Sequence, residues 1–487
     1  METKNNPSAS PSRIKSSLTN KLMKLFTPKF IKFISTTSLA QFFRFEQLGT
    51  TYKTEIIAGV TTFMTMAYIL VVNPRILSNA IFLQQSGDLF NQLLFTTAIS
   101  SAGATALMGI LSNYPFAVAP AMGLNAFFAF SVVLDLQMNW RLALTSVLIE
   151  SLIFTLLILS NIHIQIIKAI PPSLKHATVA GIGLFIAYIG LSGVPEPPTL
   201  GAGIVIASKA TLTTIGSFKQ PATLLSVFGL LLTATLIARR IKGAILWGIL
   251  ATALLGWILN IAPMPEKIIG LPEWPKDLIG QSFTGLSYLT PKQISNFVSV
   301  TLTLLFVTSF DTIGALTGLG QQAGYIDENG ELPSANKSLL AGAMGITFGA
   351  ILGTSPSATY LESASGIFEG GRSGFTSTVV AALFLISVLF TPVFAAVPAF
   401  ATAPALIMVG FLMMSSVQKI NWNDSAEAIA AFLIILTMPL THSIAEGLAI
   451  GFIIYPLIKA SQGLAHKVNK PVYFIAAISM FHFVLNS

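Results

Sequence analysis

Residues 353–371 read GTSPSATYLESASGIFEGG, a run of Gly, Ser, Thr and Ala around one carboxylate, Glu362, with apolar stretches on both sides. Pro356 introduces the segment, and no part of it has the unbroken apolar character of a membrane helix. Irregular backbone is tolerated at membrane depth only where protein or a water-filled cavity covers it. If the chain around it crosses a bilayer, this segment marks a discontinuous helix lining a site.

Composition supplies that condition. Hydrophobic residues make up 53% of the 487, charged residues 9%, and mean hydropathy is +0.76. That is too little polar material to cover a soluble globule, and it indicates a polytopic, all-α membrane protein. At about 1.5 Å per residue the repeated apolar runs can cross about 30 Å of hydrocarbon as helices, each satisfying its own backbone. Candidate spans fall near 55–73, 93–112, 117–134, 142–161, 174–192, 223–240 and 243–261. A more polar connector follows, then a second set near 296–319, 338–353, 358–370, 376–397, 402–417, 426–441 and 444–460. The last apolar stretch, 472–485, reads either as a further span or as an interfacial helix.

The chain has no cysteine, which excludes thiol catalysis, disulfides and Cys-ligated metals. Its five histidines, at 163, 176, 442, 466 and 482, have no ligand spacing, so neither a metal centre nor a cofactor is expected. Residues 1–53 carry nine Lys or Arg against two acids, which places the N-terminus in the cytoplasm. Within them NKLMKLFTPKFIKFI, residues 20–34, reads either as an amphipathic stretch on an anionic leaflet or as a disordered basic tail. No cleavable signal follows, and no nucleic-acid partner is expected.

The two halves resemble one another. MGILSNYPFAVAPAMGLNAFF from 108 lies over GAILGTSPSATYLESASGIF from 349, so that Pro115 meets Pro356. TATLIARRIKGAILWGIL from 233 parallels TMPLTHSIAEGLAIGFII from 437, with Arg239, Arg240 and Lys242 giving way to a hairpin containing His442 and Glu446. Basic residues mark the cytoplasmic side, so the matched hairpins are expected on opposite faces, as inverted repeats require. Corresponding broken segments in such repeats, here 115–128 and 356–370, are where transporters hold their substrate.

Charge points to the same place. Asp311, inside TLLFVTSFDTIGALTGLG (303–320), has no cation in its span, and Glu362 lies in the second broken segment. An intramembrane carboxylate is a functional hypothesis by default, because burying it as an ion costs several kcal/mol. Glu150 is a third such acid in an unbroken span, where a structural role weighs equally, and Glu446 reads as a hairpin residue.

Five motifs in order carry a resemblance: FRFEQLGTTYKTEIIAGVTTFMTMAYILVVNP (43–74), APAMGLNAFFAF (119–130), TSFDTIGALTGLG (308–320), GTSPSATYLESASG (353–366) and MPLTHSIAEGLAIGF (438–452). Together they resemble the adenine/guanine/hypoxanthine permease branch of the nucleobase transporter superfamily, which also contains uracil and xanthine permeases. The resemblance covers about residues 42–460. It implies about 14 spans in two inverted repeats of seven, with short extended strands in spans 3 and 10. It also implies a core domain of 54–161 (spans 1–4) and 294–398 (spans 8–11), and a gate domain of 162–293 (spans 5–7) and 399–461 (spans 12–14). Residues 1–53 stand outside as a basic cytoplasmic segment, and 462–487 as a tail with a short apolar helix.

By the same resemblance Asp311 and Glu362 hold a purine base and couple it to H⁺, or to Na⁺ in its place, with Asn125 as the polar partner from span 3. The uracil branch carries a His four residues after its span 8 acid. Here that position is Ala315, so a histidine relay does not carry over. A carboxylate accepts paired N–H donors in one plane, and an amide meets donor and acceptor together. Of Phe127, Phe128, Phe310 and Tyr360, Tyr360 is the preferred aromatic face for the base. The expected function is secondary active import of adenine, guanine and/or hypoxanthine across the plasma or inner membrane, with a homodimer through the gate domain among the resemblance's implications. Transport of another nucleobase or a small anion on the same fold is the alternative. An intramembrane enzyme ranks below both, since no nucleophile with an adjacent base is visible.

Overall fold

The computed structural model describes residues 38–160, 170–192, 202–208, 211–326 and 332–486. The basic stretch 20–34 and His163 lie outside the described residues. Thr51 caps the first long helix, α1 (Tyr52–Met66), by accepting the Thr54 N–H at 3.3 Å. The apolar run breaks at Ala67 and Tyr68 and resumes as α2 (Ile69–Leu77), where Pro74 has no N–H to give the preceding turn. α3 (Phe90–Ser112) ends at Asn113, whose φ of 57° is the left-handed conformation a C-cap asparagine accepts. Strand β1 (Val118–Pro120) leads into α4 (Met122–Ala126), which runs on as a π-helix over Phe127–Asp135. α5 (Trp140–Leu159) and α6 (Pro172–Leu191) follow, then a hairpin of β2 (Val205–Ser208) and β3 (Leu212–Ile215), then α7 (Pro221–Ala238) and α8 (Ala244–Ile258).

The second half opens with the 30-residue α9 (Ile294–Ala323) and α10 (Ala335–Leu352), which ends at Gly353 with φ 89°. Strand β4 (Ser357–Thr359) and the six-residue α11 (Ser363–Phe368) come next, followed by α12 (Gly374–Ser387) and α13 (Ala399–Met414). α14 (Ser425–Leu440), α15 (Ile444–Ser461) and α16 (Lys470–Asn486) complete the chain. Among the described residues ten helices are long and apolar enough to cross a membrane, and three shorter apolar ones, Met122–Asp135, Ala244–Ile258 and Ser425–Leu440, accompany them. The two spans expected to be broken are composite: 117–134 is a strand and then a helix, and 358–370 is mostly strand, turn and the short α11.

β1 and β4 pair antiparallel, Val118 with Thr359, Ala119 with Ala358 and Pro120 with Ser357. The ladder is flanked by two equivalent bonds, Ala121 N–H to the Pro356 carbonyl and Tyr360 N–H to the Ala117 carbonyl, both 2.9 Å. Exchanging the strands carries Ala117 onto Pro356, so the sequence match of Pro115 with Pro356 is out of register with the ladder. The connector from helix to strand is 113–117 in one case and 353–356 in the other, and an ungapped match cannot follow both.

Helix packing falls into two sets. α3 lies along α10 and α12, α5 along α9 and α10, and α1 along α12. Separately, α6 lies along α13 and α14, α14 along α15, and α7 along α8 and α13. Each set has a crossing at which two backbones touch. A Cβ on Gly109 would stand 2.5 Å from the Gly374 carbonyl oxygen, and one on Gly410 would stand 2.3 Å from that of Gly183. Small residues permit this approach, which lets helices associate in lipid by dispersion. The buried Glu55 side chain accepts from the N–H groups of Arg372 (2.9 Å), Ser373 (3.3 Å) and Thr376 (3.2 Å), joining α1 to the positive end of α12.

Candidate functional site

A cavity of about 420 Å³ lies where the two packing sets meet. One wall is Tyr68 from the α1–α2 break, the start of α4, Phe310 and Asp311 of α9, and the turn Thr359–Glu362. The other is apolar apart from a few hydroxyls, with Ile182 of α6 and Val409 and Met413 of α13. The lining residues include two carboxylates, Asp311 and Glu362, and no Lys, Arg or His. The Lys175 ammonium stands outside the lining, 5.9 Å from the centroid of the Phe310 ring.

Local sequence explains the placement. Thr354 to Tyr360 cannot continue α10 past Gly353, so the chain extends, pairs with β1 and turns, which delivers Glu362 at the N-terminal end of α11. The Glu362 Oε1 accepts the Tyr68 hydroxyl at 2.9 Å. Tyr360 gives its own hydroxyl to the Pro120 carbonyl at 2.6 Å, leaving its ring on the cavity wall. On the same wall, Met122, Gly123 and Leu124 form the first turn of α4, whose N–H groups have no intrahelical acceptor. The cavity therefore sets acceptor-only carboxylates beside backbone donors, an arrangement complementary to a small ligand that both donates and accepts hydrogen bonds.

Of the residues expected to bind substrate, Asp311, Glu362 and Tyr360 all line this cavity. Asn125 follows that wall by one residue and is fully buried, with no partner for either polar atom of its amide among the described residues. Phe310 lines the cavity, whereas Phe127 and Phe128 are fully buried and take no part in its lining. Glu150 is also fully buried and is not among the lining residues. The Thr308 hydroxyl faces its carboxyl from α9, and among the described residues neither group has a hydrogen-bond partner of normal geometry. Tyr68 was not singled out from the sequence. The available signal was a phenol six residues before Pro74 in an otherwise apolar run.

A profile of the permease family, Xan_ur_permease, matches residues 53–450. The chain belongs to this permease family. The permease is 48% identical over 444 residues to the putative permease MJ0326 of Methanocaldococcus jannaschii, covering 91% of this chain and 98% of that one. It is 43% identical over 450 residues to the guanine/hypoxanthine permease PbuG of Bacillus subtilis, covering 91% and 99%. With the adenine permease AdeQ of Escherichia coli the identity is 37% over 449 residues, covering 92% and 96%. Among solved structures, the transmembrane domain of the cyanobacterial bicarbonate transporter BicA matches with a TM-score of 0.58 at 15% identity, over 81% of this permease and 96% of that chain. SLC26A9 matches with 0.59 at 12%, over 95% and 73%. At these identities the structural likeness speaks for the fold alone, a multi-pass helical membrane architecture shared by transporters.

Proposed function

We propose that this permease imports purine nucleobases, adenine, guanine and/or hypoxanthine, by proton symport. The observation that carries the reading is the pair Asp311 and Glu362 facing one cavity with no cation in its lining. Two carboxylates in one low-dielectric space repel when both are charged, so a proton that joins one of them as the base enters relieves the pair. N–H donors on the purine edge then meet the carboxylate oxygens, its carbonyl or ring nitrogen meets the α4 N–H groups, and its face meets the Tyr360 ring. The relatives named as guanine/hypoxanthine and adenine permeases support the substrate class.

Movement is proposed between a core of spans 1–4 and 8–11 and a gate of spans 5–7 and 12–14, with the cavity at their junction. The exchange symmetry of the β1–β4 ladder supports two inverted repeats of seven spans. Asn125, adjoining the cavity wall with an amide that has no partner among the described residues, is proposed as a partner for the base once the site closes. The hairpin at Arg239, Arg240 and Lys242 is assigned to the cytoplasm, together with the N-terminus. A small anion is the second reading, since anion transporters share the fold, but two acids in the lining oppose it. Competition by adenine, guanine, hypoxanthine, xanthine and uracil for labelled uptake, in cells lacking their own permeases, tests the substrate class. Displacement by purines alone is the expected result.

A further inference from the structure

We infer that Tyr68 is a positioning residue for the substrate, its hydroxyl fixing the Glu362 carboxylate in the orientation that receives the ligand. The inference rests on the reading of this cavity as a purine site. Tyr68 is 1% exposed yet lines the cavity, and its hydroxyl donates to Glu362 Oε1 at 2.9 Å. It stands at the α1–α2 break, the one point where this span leaves its regular course beside the Glu362 turn.

The same span grips that turn a second time through its backbone. The Thr65 hydroxyl, 2.7 Å from the Thr62 carbonyl of its own helix, lies 3.0 Å from the Ser365 hydroxyl, which donates to the Glu362 carbonyl at 2.7 Å. Gly366 packs so closely on α1 that a Cβ there would lie 2.2 Å from the Thr62 hydroxyl oxygen and 2.6 Å from the Ala58 carbonyl oxygen. Backbone and carboxylate of Glu362 are thus anchored separately, the first by Thr65 and close packing, the second by Tyr68.

An ionised carboxylate has about four lone-pair sites, and Tyr68 occupies one, leaving the others for a ligand. A glutamate held this way loses less rotamer freedom when the base arrives, because the ordering is already complete. Removing the hydroxyl leaves the ring, and hence the packing, in place. What is lost is the orientation of the acceptor. Ligand affinity should fall without a matching loss of fold stability.

The test is calorimetric binding of guanine, hypoxanthine and adenine, and of guanines methylated at N1, N7 or N9, to the purified full-length protein and its variants. For Tyr68→Phe the expected Kd rises roughly tenfold, the size of a lost hydrogen bond to a charged group, with the thermal midpoint lowered no further than in Tyr360→Phe. The methylation that costs the parent most should cost Tyr68→Phe several-fold less, because both changes act through the same carboxylate. Thr155→Val, a hydroxyl-to-methyl change on α5 outside the cavity lining, should bind within about twofold of the parent. A Tyr68→Phe affinity equal to the parent's overturns the inference, as does an equal methylation cost in both, an equal loss in Thr155→Val, or a Tyr68→Phe protein that does not fold. A parent that binds none of the three bases contradicts the purine reading instead.

Discussion

The Tyr360 hydroxyl donates to the carbonyl of Pro120 at 2.6 Å, bolting the two broken segments together from the side of the cavity. The phenol is committed to the scaffold, so Tyr360 has only its ring to offer a ligand. Tyr360→Phe should therefore lose stability by about 1 kcal/mol, the net worth of one hydrogen bond, with purine affinity nearly unchanged. Tyr360→Leu removes the aromatic face and should weaken binding roughly tenfold. Thermal midpoints and Kd values measured on the same preparations separate the two effects. A larger affinity loss in Tyr360→Phe than in Tyr360→Leu would make the hydroxyl, not the ring, the binding group.

Glu362→Gln should abolish detectable purine binding while the protein still inserts and purifies as the parent does. The amide has one acceptor where the carboxylate has two, and its N–H₂ would confront the N–H donors of the base. Wild-type affinity in this variant, measured by calorimetry, would remove Glu362 from the site.

The proposed topology puts the α7–α8 and α14–α15 hairpins on opposite faces. Lys242 in the first pairs with Glu369 after α11, while the His442 carbonyl in the second accepts the Ser131 hydroxyl from the far part of the helix that begins as α4. The native chain has no cysteine, so single cysteines at Arg240 and Thr441 report without background. An impermeant maleimide applied to intact cells should label the Thr441 position only. Labelling of both from one side contradicts the inverted arrangement.

How much of this was legible in the sequence depends on the kind of signal. Asp311 and Glu362 stood out because a carboxylate in an apolar run has few physical excuses, and the structure brings both to one cavity. The extended strands in spans 3 and 10 came from the resemblance, and the ladder at Val118–Pro120 and Ser357–Thr359 matches that expectation. Asn125 came from the resemblance; in the structure Ala121 and the first turn of α4 through Leu124 are on the wall, and Asn125 follows them, fully buried. Tyr68 was hidden because hydropathy does not register a break of two residues inside an apolar span. Its partner lies 294 residues away, a pairing no local pattern encodes. Glu150 shared with Asp311 the mark of an acid inside an apolar span but lay in none of the five motifs, and in the structure it is absent from the cavity lining.

Asp424 gives a pH-dependent test of the packing that holds the second helix set. Its carboxylate caps α14 through the N–H groups of Ala426 (3.0 Å) and Glu427 (3.2 Å) and also accepts the Lys459 ammonium. That ammonium holds the Asp424 carboxyl below the usual carboxylate range. A folded-state value depressed in this way contributes stability that is present above the ordinary carboxylate range and lost as pH falls through the folded value. Asp424→Ala should cost about 1–2 kcal/mol at neutral pH, with the difference from the parent shrinking below about pH 4. Asp424→Asn keeps the cap and should fall between the two. Thermal unfolding in detergent at several pH values reads this out, and a pH-independent difference would exclude the ion pair as its source.

The central claim is that purine entry is coupled to a proton through the two facing acids. Accumulation of labelled hypoxanthine in proteoliposomes under an imposed pH gradient, acid outside, tests it most directly when the parent and Asp311→Asn are measured side by side. The account predicts that the parent concentrates hypoxanthine above its external level and loses that ability when an ionophore collapses the gradient. Asp311→Asn should fail to accumulate it while retaining slow exchange of internal for external base, because exchange needs no net proton movement. Accumulation by the parent that ignores the pH gradient, or uphill uptake by Asp311→Asn equal to the parent's, would contradict it.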